Sequence, residues 1–354
     1  MSTVALVPTA TCPVCGGTER EPSDQMSRGG TQYLKHAAGP LGLSVEELIN
    51  RAQVYRCSSC RSVFCDPWLS TELASSLFCA GSPEHQAGWT EVESWLRNIE
   101  GRFGVRNHRL YAAVTRRTGV LRSYAEFGCP FQGFLIQMRA RESDRGARVR
   151  SFAKALRRDT DKRWSRLTRV YNFLEGLSRR FLVSALRIQA LVDGLARREQ
   201  AFTASEPTSP LPEHRYLLTQ DTTKGWGSNC VRYGATCQYF AHTLLDASVI
   251  PVEEARRGQT PRFDLVGVFN SLDHTTFPLD VLRTLLDMTG HVLLVTHRAG
   301  LAGKQHLYAF DDDFAAWLGQ SFEGVSVEDL RDEVETGARR DYSYLLLTRR
   351  AVTT

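Results

Sequence analysis

The chain has 354 residues, which exceeds the roughly 250–300 residues at which a single hydrophobic core stops growing, so two domains or one elaborated domain are expected. Hydrophobic residues at 42% and charged residues at 23% are typical of a soluble globular protein. No run approaches the ~20 apolar residues of a membrane helix, there is no signal-peptide pattern, and the odd count of nine cysteines favours a reducing compartment. The sequence therefore predicts a cytoplasmic protein with no membrane partner.

Two CxxC pairs near the N-terminus predict a metal site. Cys12 and Cys15 form the first pair, and Cys57 and Cys60 form the second. Two thiolates separated by two residues can both reach one tetrahedral Zn²⁺ at ~2.3 Å, and two such pairs close a structural site with no open position for chemistry. We therefore predict a zinc ribbon over residues 1–68, with all four cysteines binding Zn²⁺.

A helical connector is predicted over residues 69–119, and the pattern changes at residue 120. A short apolar and aromatic run at 123–127 predicts a strand. The glycines Gly128 and Gly133 follow it, and apolar residues at helical spacing come next. This strand, turn and helix predict the start of an α/β domain that spans 120–354.

A basic insertion is predicted over residues 139–205. Between residues 139 and 200 there are 17 Lys and Arg against 7 Asp and Glu, so the net charge of +5 is concentrated in this segment. Clustered basic residues can bind nucleic acid, which is one alternative for the function. The charges alternate with apolar residues at helical spacing, however, and this favours amphipathic helices that form a lid with a solvated outer face.

Beyond the insertion, strand-like and helix-like segments alternate to the end of the chain. Strands are predicted near 215–219, 248–250, 263–269, 291–296, 325–327 and 342–348, and helices near 236–245, 279–288 and 314–319. Strands that alternate with helices indicate a mostly parallel sheet with both faces covered. The last two strands are predicted to form an antiparallel edge.

Several of these motifs together resemble one enzyme family. They are the two CxxC pairs, the tetrapeptide Glu126-Phe-Gly-Cys129, residues 263–266 and the Asp273-His274 pair. This set is similar to class I S-adenosylmethionine-dependent methyltransferases that carry an N-terminal zinc ribbon, several of which act on sugars or other natural-product intermediates. The resemblance implies a seven-stranded Rossmann-like sheet and a small-molecule substrate.

The resemblance also implies which residues bind S-adenosylmethionine. The family's glycine motif begins with an acid and continues through glycines to Phe-Leu, and a second acid binds the ribose. On this chain the implied cofactor-binding residues, after the family's pattern, are Glu126, Gly128, Cys129, Gly133, Asp221 and Asp273. Asp264 is expected to lie close to the same loop.

A general base is the last implied role. Asp273-His274 corresponds to a Glu-His pair that follows the fourth strand in the family. A histidine at the carboxyl end of a strand can remove a proton, because its unperturbed pKa of ~6.5 lies near working pH. His274 is therefore the predicted catalytic residue, and a structural hydrogen-bonding role beneath the cofactor loop is the alternative.

The favoured function is methyl transfer from S-adenosylmethionine to a small biosynthetic intermediate such as a nucleotide-linked sugar. A different class of function is a methyltransferase-like scaffold that has lost the cofactor and serves as a partner protein. Pro130 and Gln132 stand where the family has its two later glycines, and they are the sequence feature that supports this alternative. Proline lacks a backbone N–H and restricts the residue before it.

Overall fold

The computed structural model describes part of the chain. The described residues are 6–23, 38–39, 41–70, 106–128, 133–135, 138, 210–219, 247–258, 262–275, 277–297, 308–310, 312–335 and 342–350. The predicted insertion at 139–205 and the predicted helix at 236–245 lie outside these ranges. Within them, no helix is long and apolar enough to cross a membrane.

Thirteen strands are present in the described residues. Their bounds are β1 Leu6–Val7, β2 Arg20–Pro22, β3 Gln53–Cys57, β4 Val63–Asp66, β5 Trp68–Leu69, β6 Ser123–Gly128, β7 His214–Thr219, β8 Ser248–Pro251, β9 Leu265–Phe269, β10 His291–His297, β11 Tyr308–Ala309, β12 Val325–Asp329 and β13 Tyr342–Arg349. The strands predicted in the α/β part are confirmed to within a few residues.

The α-helices follow the same chain order. They are α1 Val45–Arg51, α2 at 106–118, α3 Val252–Arg256, α4 Pro278–Met288, α5 Asp313–Ser321 and α6 Arg331–Val334. A short 3-10 turn covers Leu272–His274, directly after β9. The predicted helices near 279–288 and 314–319 are confirmed as α4 and α5.

Seven strands form the main sheet in the order β12-β13-β10-β9-β6-β7-β8. Strands β8, β7, β6, β9 and β10 are mutually parallel, whereas β13 runs antiparallel to both β10 and β12. The predicted antiparallel pairing of the last two strands is confirmed, but only β12 lies at the edge. Six of the eight residues of β13 are buried, so this strand is too apolar for an edge position.

Two apolar layers cover the two faces of this sheet. One layer contains Ala125 and Phe127 of β6 together with α4 and α5. The other contains Tyr124 of the same strand, part of α2 and the aromatic ring of Phe134. Because side chains alternate across a strand, neighbouring residues of β6 enter opposite layers. The result is the three-layer architecture of an α/β fold.

The cysteine-rich segment adds a second sheet, which has four strands in the order β11-β4-β3-β2. Strand β11 comes from the α/β part of the chain and pairs antiparallel with β4. Val63 and Phe64 of β4 belong to the same apolar cluster as the residues of α4. The ribbon is therefore packed on one face of the main sheet and shares its core.

Candidate functional site

The four cysteines of the two CxxC pairs form one compact group. The ligand atoms of Cys12, Cys15, Cys57 and Cys60 all lie within 4.8 Å of one another. The Cys12 and Cys60 sulfurs are 3.7 Å apart, and the Cys15 and Cys57 sulfurs are 3.5 Å apart. Four thiolates at ~2.3 Å from one tetrahedral Zn²⁺ would be separated by about 3.8 Å. The arrangement therefore fits Zn²⁺.

The backbone of each pair has the same turn. The N–H of Gly16 donates to the Cys12 carbonyl at 2.8 Å, and the N–H of Arg61 donates to the Cys57 carbonyl at 3.1 Å. Both residues have left-handed backbone, with φ of 76° at Gly16 and 60° at Arg61. These turns direct both sulfurs of a pair to one point, and the Gly17 N–H adds a hydrogen bond to the Cys15 sulfur at 3.4 Å.

Crowding of the sulfurs shifts the pKa values of three of the cysteines. The hydrogen bond with Cys15 raises the pKa of Cys12 to about 12, and hydrogen bonds with Cys12 and Cys15 raise the pKa of Cys60. Hydrogen bonding to Cys12 lowers the pKa of Cys15 to about 2. One thiolate is thus stabilised by neighbouring thiols, and ionisation of all four requires a positive charge between them.

The second candidate site lies at the carboxyl ends of β6 and β9. These strands are adjacent and parallel, and the chain order of the sheet reverses between them, since β7 and β8 lie on one side and β10 on the other. In open α/β sheets, ligands bind in the crevice outside such a switch point. Gly128 and residues 270–274 lie at this end of the two strands. Cofactor binding by Gly128 and Asp273 stays a prediction.

Gly128 is required by the packing of the protein itself. Its φ is 98°, and a Cβ atom there would lie 2.1 Å from the Ser271 hydroxyl oxygen. Ser271 is fully buried and its hydroxyl donates to the Phe269 carbonyl at 2.8 Å. The expected close approach at Gly128 is therefore made by Ser271, a residue that the sequence analysis did not identify although it directly follows a buried strand.

Glu126 is a fully buried carboxylate in the central strand. One oxygen, Oε2, accepts hydrogen bonds from the Tyr124 hydroxyl at 2.9 Å and from the Leu135 N–H at 3.1 Å. Burial raises the pKa of Glu126 to about 8, and the N–H of Leu135 and the hydroxyl of Tyr124 partly offset this rise. The side chain connects the end of β6 to the start of the following helix.

Three further residues fit around this carboxylate. A Cβ atom at Gly133 would lie 2.3 Å from the Glu126 carboxylate, and one at Gly267 would lie 2.4 Å from the Tyr124 hydroxyl. The buried Asn107 of α2 donates to the Gly133 carbonyl at 3.1 Å. Sequence reasoning missed Asn107, because its contact joins segments 26 residues apart. Gly133 therefore touches Glu126, the acid with which it was predicted to act.

Asp273 and His274 lie in the 3-10 turn that follows β9. Asp273 is only 1% exposed. The turn is closed by the Thr275 N–H, which donates to the Leu272 carbonyl at 3.0 Å, and by the Thr275 hydroxyl, which donates to the same carbonyl at 2.7 Å. The backbone of the predicted catalytic residue is thus fixed at the carboxyl edge of the sheet.

One expected member of the site lies elsewhere. Asp264 precedes β9, and its Oδ2 accepts hydrogen bonds from the backbone N–H groups of Arg122 and Ser123 at 2.6 and 2.9 Å. These residues are at the amino ends of β9 and β6, opposite the crevice, so the expectation for Asp264 was wrong. Its role is to join the two strand starts.

Other predicted residues fall outside the described part of the chain. Cys129 and Asp221 are among them, as are Pro130 and Gln132, and the same holds for the side chain of His274. Of the predicted residues, the structure brings Gly133 against Glu126, and it adds Tyr124 and Asn107 to this group. Gly128 contacts Ser271, and Asp273 lies in the turn that follows.

Comparisons with known proteins show weak structural similarity and no sequence-level match. No protein-family model matches the chain, and no curated protein matches it. Among solved structures, the chain is similar to the plantazolicin methyltransferase BpumL, whose structure was solved in complex with SAH. The TM-score is 0.37 and the sequence identity is 8%, over 79% of this chain and 95% of that chain.

The cysteine group predicts a bound metal. We expect about one Zn²⁺ per chain by elemental analysis, and we expect Cys57→Ser to lose it, because the remaining three thiols leave the tetrahedral site incomplete. The free energy of unfolding should fall by about 4 kcal/mol or more. Cys65→Ala is the matched control, since Cys65 is also fully buried but lies outside the group. Protein purified without chelator and free of metal would contradict the prediction.

The raised pKa of Glu126 predicts a pH-dependent stability. Between its ordinary value of 4.5 and about 8, the folded state holds a proton that the unfolded state has released, so stability falls as pH rises through this window. The slope is at most about 1.4 kcal/mol per pH unit for one proton. Glu126→Gln cannot release this proton and should flatten the slope in denaturant titrations at pH 5 to 8. Equal slopes in both proteins would be inconsistent with a buried, protonated carboxyl.

The contact between Gly128 and Ser271 predicts an energetic coupling. Gly128→Ala should destabilise the protein in two ways, through left-handed backbone at a cost of about 1–2 kcal/mol and through the clash with the serine. Ser271→Gly removes the clash and also the hydrogen bond to the Phe269 carbonyl. The loss of that bond is common to the single and the double variant, so relief of the clash should make the double variant lose less stability than the two single variants combined. Chemical denaturation of all four proteins measures this coupling, and strict additivity would show that the close approach is absent.

Proposed function

We propose that the protein transfers a methyl group from S-adenosylmethionine to a small-molecule acceptor. The observation that carries this proposal is the contact of Gly128, at the end of the strand that holds Glu126, with Ser271 at the start of the Ser271–His274 segment; this contact lies at the switch point of a doubly wound sheet. These are residues on which the sequence resembles zinc-ribbon methyltransferases. More specifically, we propose that the acceptor is a natural-product intermediate or a nucleotide-linked sugar.

Methyl transfer depends mainly on how the protein positions the methyl donor and the acceptor. S-adenosylmethionine would supply an electrophilic methyl group bound to a sulfonium. The chain must place the acceptor atom in line with that group and exclude water. When the acceptor carries a proton, His274 is the candidate base that removes it as the new bond forms. The closed turn at 272–275 holds the backbone of that residue at the crevice.

The residues around Glu126 would serve the cofactor indirectly. The carboxylate accepts the Leu135 N–H and contacts Gly133, so it holds the helix that follows the loop. Asn107 holds the same glycine from α2. We infer that this group fixes both ends of the segment 129–132, which in the proposed function contacts the methionine part of the cofactor.

A scaffold without cofactor is the second candidate. Gly128 and Gly133 are each required by an internal contact, to Ser271 and to Glu126, whether or not a ligand binds. Pro130 and Gln132 replace the two glycines that the family motif has between them. A fold that keeps its structural glycines while lacking the ligand-contacting ones is the pattern expected of such a scaffold.

Calorimetric titration separates the two candidates. We expect weak but measurable binding of S-adenosylhomocysteine, and stronger binding by Pro130→Gly, because glycine restores a backbone N–H to the loop. NAD is the control ligand, since doubly wound sheets also bind dinucleotides. Absence of heat from both proteins with S-adenosylhomocysteine would favour the scaffold, and binding of NAD alone would replace methyl transfer by dinucleotide chemistry.

A further inference from the structure

Tyr308 connects the cysteine-rich ribbon to the edge of the main sheet. It lies in β11, where it pairs with Phe64 of β4, and the next residue pairs with Val63. Its side chain is fully buried. Strand β4 begins three residues after Cys60. The strand that follows the second cysteine pair therefore holds Tyr308, although the two are far apart in the sequence.

The hydroxyl group of Tyr308 reaches the turn that carries Asp273 and His274. It lies 2.5 Å from the Leu272 carbonyl and 2.7 Å from the Thr275 carbonyl, so its proton is shared between the two ends of the turn. The hydroxyl of Thr275 is 3.2 Å away. One side chain of the ribbon sheet therefore contacts the first and the last carbonyl of the segment.

The surroundings keep this hydroxyl a donor. Burial raises the pKa of Tyr308 well above its ordinary value, and the charge of Asp273 raises it further. A protonated hydroxyl between two buried carbonyls is a favourable arrangement, because each carbonyl would otherwise lose a hydrogen bond.

Apolar packing supports the same connection. Leu272 of the turn, Tyr308 and the β4 residues Val63 and Phe64 all belong to one buried cluster. The Phe310 ring packs against Tyr308, with the ring centres 5.2 Å apart. A shift of the ribbon would therefore move packed side chains that contact the turn, since interiors have few voids to absorb such a shift.

We propose that Tyr308 is a positioning residue that couples the metal-bound ribbon to the Leu272–His274 turn. Metal binding would hold the ribbon in one conformation, and the pairing of β4 with β11 would hold Tyr308 in place. The Tyr308 hydroxyl then holds the backbone of the turn that contains Asp273 and His274. The consequence for ligand binding rests on the proposed function, whereas the mechanical coupling of ribbon and turn does not. In this proposal the ribbon also helps to position the Leu272–His274 turn at the candidate site.

The test compares Tyr308→Phe with the matched control Tyr55→Phe. Tyr55 lies in β3 of the same sheet, and its hydroxyl bonds only to the exposed Gln53 side chain in the described residues. In Tyr308→Phe we expect amide exchange at residues 271–275 to be about tenfold faster, because the Leu272 and Thr275 carbonyls each lose the hydrogen bond from Tyr308. The imidazole NMR signals of His274, assigned with His274→Gln, should also shift. The metal content of Tyr308→Phe should equal that of the wild type. In Tyr55→Phe, neither the exchange rates at 271–275 nor the His274 signals should change.

Binding of S-adenosylhomocysteine is the second readout, with an expected loss of about tenfold in Tyr308→Phe for the same reason. If the wild type does not bind this ligand while the exchange and NMR effects are present, the proposed function fails and the coupling stands. Unchanged exchange and unchanged His274 signals in Tyr308→Phe would overturn the coupling, whatever the ligand result.

A measurement on the wild-type protein covers the case in which Tyr308→Phe does not fold. Graded removal of the metal by a chelator should accelerate exchange at 271–275 before it affects the edge strand β12 at 325–329. Equal acceleration of both segments, or acceleration of neither, would contradict the proposal. Faster exchange at the turn alone would support it.

Discussion

Burial of one carboxylate in the central strand constrains much of the structure around it. Glu126 has no exposed surface, and an isolated buried charge would be very costly, so the group needs donors and a raised pKa. The Tyr124 hydroxyl and the Leu135 N–H supply the donors. Gly133 and Gly267 have no side chain because the carboxylate and the tyrosine hydroxyl occupy those volumes. A helix start, two strands and α2 are thus positioned around a single side chain.

The ribbon and the α/β sheet share one buried apolar cluster in the described residues. Strand β11 leaves the α/β part to complete the ribbon sheet, and the two parts share a buried apolar cluster. Small cysteine-rich units cannot bury enough apolar surface alone and usually depend on a metal. Here the cysteine group also shares an apolar cluster with residues of the larger sheet. This sharing gives the ribbon a direct contact with the turn at the carboxyl edge.

The order of the strands explains why distant motifs meet. Strand β6 lies between β7 and β9, so the residues that follow β6 and those that follow β9 emerge side by side although more than a hundred residues separate them. The pairing of Gly128 with Phe269 brings Ser271 against the glycine. A crevice at this place is a property of the topology, and the chemistry within it depends on which side chains the two loops present.

The sequence by itself determined the elements and the metal group. Buried parallel strands such as β9 and β10 are continuous apolar runs, and two CxxC pairs have few other uses, so local patterns were sufficient for these. Glu126 and the Asp273-His274 pair were predicted from the resemblance to zinc-ribbon methyltransferases, which assigns them roles beside two predicted strands. The tertiary structure decided their neighbours: Ser271 against Gly128, Asn107 on Gly133, and Tyr308 on the turn. It also placed Asp264 at the opposite end of the sheet. These contacts join residues remote in the chain, and such pairings depend on strand order and close packing, which leave no periodic signal in the sequence.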